Sequence, residues 1–163
     1  MKKIITLMLL LVVVAASTTM SDARTKRRGR SKARTEQTAG LTPLERKVVG
    51  RHMLSLQWIS WDYFGSVEIK KQADGTLTCK GEQLSRENDD YLRLDGTMVI
   101  VDEKHLTFTG DIAMRVYHIN NGEECLRQGT YEFIASDNRK YWRMHPITNP
   151  CDECADYVDI YFK

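Results

Sequence analysis

The sequence predicts an all-β fold: an antiparallel up-and-down barrel of about eight strands, preceded by one short N-terminal helix. Three observations predict it. Apolar and polar residues alternate with a period of two through most of the chain beyond His52. Turn-forming clusters rich in Asn, Asp, Gly and Ser separate these runs at short intervals. The roughly 140 residues that follow an N-terminal leader suit one hydrophobic core. Short-looped antiparallel strands close well into a barrel, and a two-sheet sandwich is the competing arrangement.

The leader comes first. Lys2 and Lys3 precede an apolar run from Ile4 to Ala16, and small residues lead to Ala23. A positive start, a short apolar core and a small-x-small cleavage site define a secretory signal peptide, here residues 1–23. Ala16 and Ser17 are nearby alternative cleavage points. The run is shorter than the ~20 residues a membrane-crossing helix needs, so the chain is expected not to span a membrane. No cysteine precedes Cys79, so no lipid anchor is expected at the cleavage site. The expected location is the periplasm or the cell exterior.

A basic arm, residues 24–41, follows. Arg24, Lys26, Arg27, Arg28, Arg30, Lys32 and Arg34 place seven cations within eleven residues. From Thr35 onward fifteen Lys or Arg face twenty-one Asp or Glu, so a near-neutral total charge of +2 conceals a basic arm on an acidic domain. With no apolar residue larger than Ala33 before Leu41, the arm is expected to be disordered. It reads either as a solvated leader or as a ligand for an anionic envelope surface such as lipopolysaccharide. Nucleic acid fits poorly, because the arm lacks interleaved aromatics and the domain is acidic.

The folded domain spans residues 42–163. Thr42-Pro43-Leu44-Glu45 carries a capping-box pattern with Pro at the first helical position, predicting a helix from Pro43 to about Val49 that stops at Gly50. Strands are expected to start near His52, Ser66, Thr76, Tyr91, His105, Glu124, Arg139 and Asp156. The clearest runs from His105 to Ile119, with Leu106, Phe108, Ile112, Met114 and Val116 on one face. Val158, Ile160 and Phe162 alternate with an outer set of Tyr157, Asp159 and Tyr161. Asp95-Gly96 interrupts a strand-like run and predicts a hairpin or a bulge.

The short capped helix leading into Gly50-x-His52, followed by about eight meandering strands, resembles the lipocalin-like (calycin) barrels. Gly50 matches the glycine of the lipocalin Gly-x-Trp motif, and His52 stands where the Trp would be. The resemblance implies a barrel able to hold one small apolar or amphipathic ligand. The strings LQWIS, RKYWR, NPCD and DYVDIYF also resemble those of small exported bacterial proteins of unassigned function.

Cys79, Cys125, Cys151 and Cys154 form an even set in an exported chain, which favours disulfides over redox or metal chemistry. Cys125–Cys151 is the first choice, leaving Cys79 and Cys154 to pair or stay free. Cys151-x-x-Cys154 lacks the α/β context of a thioredoxin site, and nearby acids raise rather than lower a thiol pKa. His52, His105, His118 and His145 are scattered and read as surface or half-buried residues. Asp152, Glu153, Asp156 and Asp159 form an acidic cluster whose spacing does not match an EF-hand. No catalytic residue, metal ligand or cofactor site is assigned, and the chain is expected not to be an enzyme. Possible ligand-lining residues are Tyr141, Arg143, Trp142 and Trp58, with either face of the seventh strand turned inward. Two functions follow as expectations. One is an exported binding module holding a small ligand in the barrel; the other is an envelope interaction protein with a packed interior, using its basic arm or strand edges.

Overall fold

The computed structural model describes residues 40–136 and 138–162. The signal segment, and all of the basic arm except Gly40 and Leu41, lie outside the described residues. Leu41, assigned to the arm on sequence, is buried in the core, so the folded domain already includes it.

Among the described residues, a helix, α1 (Pro43–Val48), leads into eight strands: β1 (Gly50–Leu56), β2 (Gly65–Lys71), β3 (Leu77–Leu84), β4 (Tyr91–Ile100), β5 (His105–Arg115), β6 (Cys125–Ile134), β7 (Tyr141–His145) and β8 (Val158–Tyr161). Each pairs antiparallel with the next, and β8 returns to β1, closing the barrel in sequence order. Every strand begins within two residues of its predicted start. Every strand therefore has a neighbour on both sides, although β6 pairs with β7 only through Glu132, Phe133 and Ile134.

The capping box forms as its residues dictate. Thr42 Oγ1 accepts from the Glu45 N–H, and the Glu45 carboxylate accepts from the Thr42 N–H. The helix stays at six residues because Val49 is already extended. It closes one end of the barrel. His52, expected at the surface or half-buried, is fully buried instead: its ring nitrogens sit 2.6 Å from Val48 O and 2.8 Å from Tyr161 O. It joins the helix C-terminus to β8, edge-on to the Trp142 ring.

Alternation fills the interior. Leu54, Leu56, Val67, Ile69, Leu92, Leu106, Phe108, Ile112, Phe133, Met144, Val158 and Ile160 are all essentially inaccessible to solvent. Phe108 and Phe133 meet edge to face across β5 and β6, with ring centroids 6.2 Å apart.

Asp95-Gly96 makes neither a hairpin nor a bulge. The β4–β5 ladder runs through it without a break, with Asp95 opposite Asp111 and Gly96 opposite Gly110. A Cβ on Gly96 would lie 2.4 Å from Thr109 O, and one on Gly110 would lie 2.4 Å from Asp95 O. The glycines therefore permit close approach of two strands where the sheet curls, rather than a turn. Strand β5 ends at Arg115, four residues before its predicted limit of Ile119. Past it, the Asp90 carboxylate takes the Tyr117 N–H at 2.8 Å, and a 3-10 turn at Asn120–Gly122 reverses the chain.

Candidate functional site

Strand β7 turns Trp142 and Met144 inward and Tyr141, Arg143 and His145 outward. The four ligand-lining candidates are therefore not brought together. Trp142 lies in the core against His52 and Phe162, with its Nε1–H on Glu103 O. Trp58 is at the far end of the barrel, donating to Asp156. Tyr141 and Arg143 lie on the outer face, where they help build a distinct cluster.

That cluster grows from the register at the barrel seam. Asp159 of β8 lies opposite both Ser55 of β1 and Arg143 of β7. Arg143 grips Asp159 in a bidentate fork, Nε to Oδ1 at 2.8 Å and Nη2 to Oδ2 at 2.7 Å. The Tyr157 ring centroid lies 4.0 Å from this guanidinium and that of Tyr141 5.1 Å, so the cation is stacked as well as paired. Tyr161 packs between Tyr141 and Phe64, at centroid distances of 5.4 and 5.1 Å.

Two results follow. Asp159 and Ser55 point away from the interior yet are fully buried, because these rings and the guanidinium cover them. Asp159, expected on a wet face, is thus a buried carboxylate. The bond to Asp159 is also the main cause that raises the Arg143 pKa above its ordinary value. Phe64, at the edge of the cluster against Tyr161, is itself exposed, as are Met53 of β1 and Trp61 of the β1–β2 loop. Tyr, Trp, Met and Arg are the side chains that interface centres favour.

A second Arg–Asp pair, missed in the sequence, lies inside the barrel. Arg127 of β6 occupies an inward position, in step with Cys125 and Phe133, and is 3% exposed. Its Nη1 lies 3.2 Å from Asp156 Oδ2, and its Nη2 donates to Pro146 O and Thr148 O. Among the described residues Arg127 Nε has no hydrogen-bond partner, although the guanidinium lies 5.2 Å from the Tyr131 ring centroid. Burial is the largest influence on Asp156 and raises its carboxyl pKa, against the Trp58 Nε1–H and the Arg127 charge. The parity of Arg127 with Cys125 and Phe133 was the signal that could have revealed it.

The loop between β7 and β8 covers this pair. It is held by the Cys125–Cys151 disulfide, the first-choice bridge, which spans a sequence separation of 26. Cys79 and Cys154 are free thiols. Burial, with a smaller contribution from Asp95, pushes the Cys79 thiol up to about 12. Burial, then Asp152 and Asp156, raises Cys154. The four acids of the sequence cluster are dispersed. Asp156 and Asp159 each pair with an Arg, and Asp152 accepts from the backbone N–H groups of Asn120 and Cys154. Among the described residues no group of three or more His, Cys, Asp or Glu is placed to hold a metal ion. A groove of about 480 Å³ also crosses the outside of β1–β4. Lys80 pairs with Asp95, Glu68 with Lys70 and Arg93 loosely with Glu82 at 3.9 Å, while Arg51 donates to the neutral Ser66 hydroxyl.

Fold and site together define a small closed antiparallel barrel with a covered ion pair on each face of its sheet. Residues 24–162 match the PM1083 family, and the chain belongs to that family. One relative, the Uncharacterized protein PM1083 of Pasteurella multocida (strain Pm70), is 48% identical over 122 residues, covering 75% of this chain and 78% of the relative. No solved structure matches. Neither match is to a lipocalin. Among the described residues no helix is long and apolar enough to cross a membrane.

Proposed function

We propose that this chain is an exported, non-catalytic binding module whose barrel is filled by its own side chains and which makes its contacts through the outer face of β7, β8 and β1. The observation that carries this reading is the stacked cluster of Tyr157, Arg143, Tyr141, Tyr161 and Phe64 over the buried Asp159. Such a cluster is amphipathic, with Phe64 left exposed at its edge. Its ordering cost is met in the free protein, which favours tight contact with a partner. Large interior residues such as Phe108, Phe133 and Trp142 argue against a ligand at the barrel centre.

Export is supported by the leader sequence, by a family match that begins at Arg24, and by the disulfide. The basic arm suits an anionic envelope surface. A second reading, a small anionic amphipathic ligand taken at the mouth under the β7–β8 loop, is favoured by the unpartnered Nε of Arg127.

Site-specific photo-crosslinking in cells producing the full chain tests the proposal. A photoreactive residue at Phe64 or Trp61 is expected to give a discrete adduct, and one at Val99, exposed elsewhere on the barrel, none. N-terminal sequencing of the exported protein is expected to begin at Arg24. Equal crosslinking at all three positions, or retention of residues 1–23, overturns the respective half of the reading.

A further inference from the structure

Strand β6 outruns the strand that follows it. It extends from Cys125 to Ile134, but β7 pairs with it only through Glu132, Phe133 and Ile134. Ala135 N–H donates to Lys104 O at 2.8 Å, in line with the β5–β6 register. Backbone groups along an antiparallel strand point alternately to one neighbour and the other, so this bond fixes the direction of the rest. Arg127, Gly129 and Tyr131 turn their N–H and C=O groups to β5. Leu126, Gln128 and Thr130 turn theirs to the side that β7 has left.

The β7–β8 loop does not take up that side. Its Pro146 and Thr148 carbonyls accept from the inward Arg127 guanidinium. Its backbone bonds run within the loop, from Asn149 N–H to Cys154 O and from Asp156 N–H to Ile147 O. Among the described residues no loop backbone group bonds to Leu126, Gln128 or Thr130. Those residues are exposed, and so is Gly129 between them. A Cβ on Gly129 would meet nothing within 4 Å despite its inward parity, so the wall is open beside it.

We propose that residues 126–130 are an acceptor edge for strand addition, taking an extended cationic segment of a partner protein beside β6. Main-chain bonds to Leu126, Gln128 and Thr130 supply affinity, and the outward side chains select the partner. Those side chains are Glu124, Leu126, Gln128, Thr130 and Glu132, all of one parity. Acids stand at both ends. Glu124 takes the Tyr91 hydroxyl, and Glu132 takes the Thr107 hydroxyl and the His105 ring, with His145 opposite it on β7. Asp111 lies across from Gln128 and accepts from its amide. Arg115, near Glu124, leans towards Asp89 at 3.9 Å. A fitting segment carries Lys or Arg towards its ends and a β-branched residue opposite Leu126. A second copy fits poorly, because antiparallel pairing centred on Gln128 sets Glu124 of each copy against Glu132 of the other. The basic arm of this chain has the cations but nothing larger than Ala33 to set against Leu126.

The test is residue-resolved amide exchange on the full chain with a capped synthetic peptide as long as residues 124–132. The peptide carries lysine at both ends, valine against Leu126 and Thr130, and threonine elsewhere. The proposal expects the amides of Leu126, Gln128 and Thr130 to slow about tenfold, while those of Arg127, Gly129 and Tyr131, already turned to β5, keep their rates. Gln128→Pro removes an N–H that β5 does not use, so the barrel stays folded and the slowing is lost. The same peptide with glutamate at its ends should leave all of these amides unchanged. Unchanged rates with the lysine peptide overturn the proposal, as does equal slowing by the glutamate peptide. Slow exchange at Leu126, Gln128 and Thr130 in the protein alone also overturns it. If dilution abolishes that slow exchange, a second copy is the occupant; if neutralising Arg28, Arg30, Lys32 and Arg34 abolishes it, the basic arm is.

Discussion

The two Arg–Asp pairs invite comparison, because the same two side chains are buried on opposite faces of one sheet. Arg143–Asp159 is bidentate, stacked on tyrosines and open enough at its edge for the Arg to remain partly solvated. Arg127–Asp156 is the more buried pair, joined by one contact of 3.2 Å, with an unpartnered Nε. The outer pair is complete without further partners; the inner one depends on two loop carbonyls and a covalent tether to hold its surroundings in place. Burial alone therefore does not rank ion pairs. What ranks them is how fully each lone pair and N–H is met.

Breaking the inner pair should have the largest effect. Arg127→Ala leaves Asp156 buried without its partner and is expected to cost about 3–5 kcal/mol in urea unfolding. The double variant Arg127→Met, Asp156→Leu should recover most of that loss, since a packed apolar replacement removes both charges together. If the double variant is as unstable as the single, the inner pair contributes more than its own satisfaction.

Reduction of Cys125–Cys151 should come next, lowering stability by about 3–4 kcal/mol for a bridge of this span. Its effect should shrink in the Arg127→Met, Asp156→Leu background, because the loop then has no guanidinium to anchor. Additivity of the two changes would show that tether and pair act independently.

A smaller loss, about 2 kcal/mol, is expected for Arg143→Ala, since partial solvation of that site limits the penalty on Asp159. Arg143→Lys should recover little, because a point charge reproduces neither the fork nor the stacking. Thermal unfolding of the three proteins side by side checks the order.

The fourth prediction concerns pH. Asp156 titrates higher in the folded protein than in the unfolded chain, chiefly through burial. Its contribution to stability is present below the unfolded carboxyl pKa and is lost as pH rises through the folded value. The stability of the wild type relative to Asp156→Asn should therefore fall as pH rises from the ordinary carboxyl range through the higher folded value. A rise over that interval would mean that Arg127 outweighs burial.

Much of this architecture was legible from local chemistry. Thr42 through Glu45 specify the capping box, and Leu106 through Met114 state the inward face of β5 residue by residue. Cys125 and Cys151 announced their bridge through position, one at a strand start and the other in a loop. What stayed hidden were charges whose burial depends on neighbours distant in sequence. Asp159 follows outward parity, and it is buried by Arg143 and Tyr141 across the seam on β7 together with Tyr157 and Tyr161 beside it. Arg127 sits where an apolar residue is expected, and its partner lies in a loop without strand periodicity. Gly96 carries a turn signal in its local sequence, yet it meets Gly110 across a ladder that only the tertiary register reveals.

Native mass spectrometry of the purified protein tests the central claim most directly. The account predicts a single species with the mass of the oxidised chain and no bound small molecule, because side chains such as Phe108 and Phe133 fill the barrel. A stoichiometric lipid or other small molecule that leaves only on unfolding would contradict it.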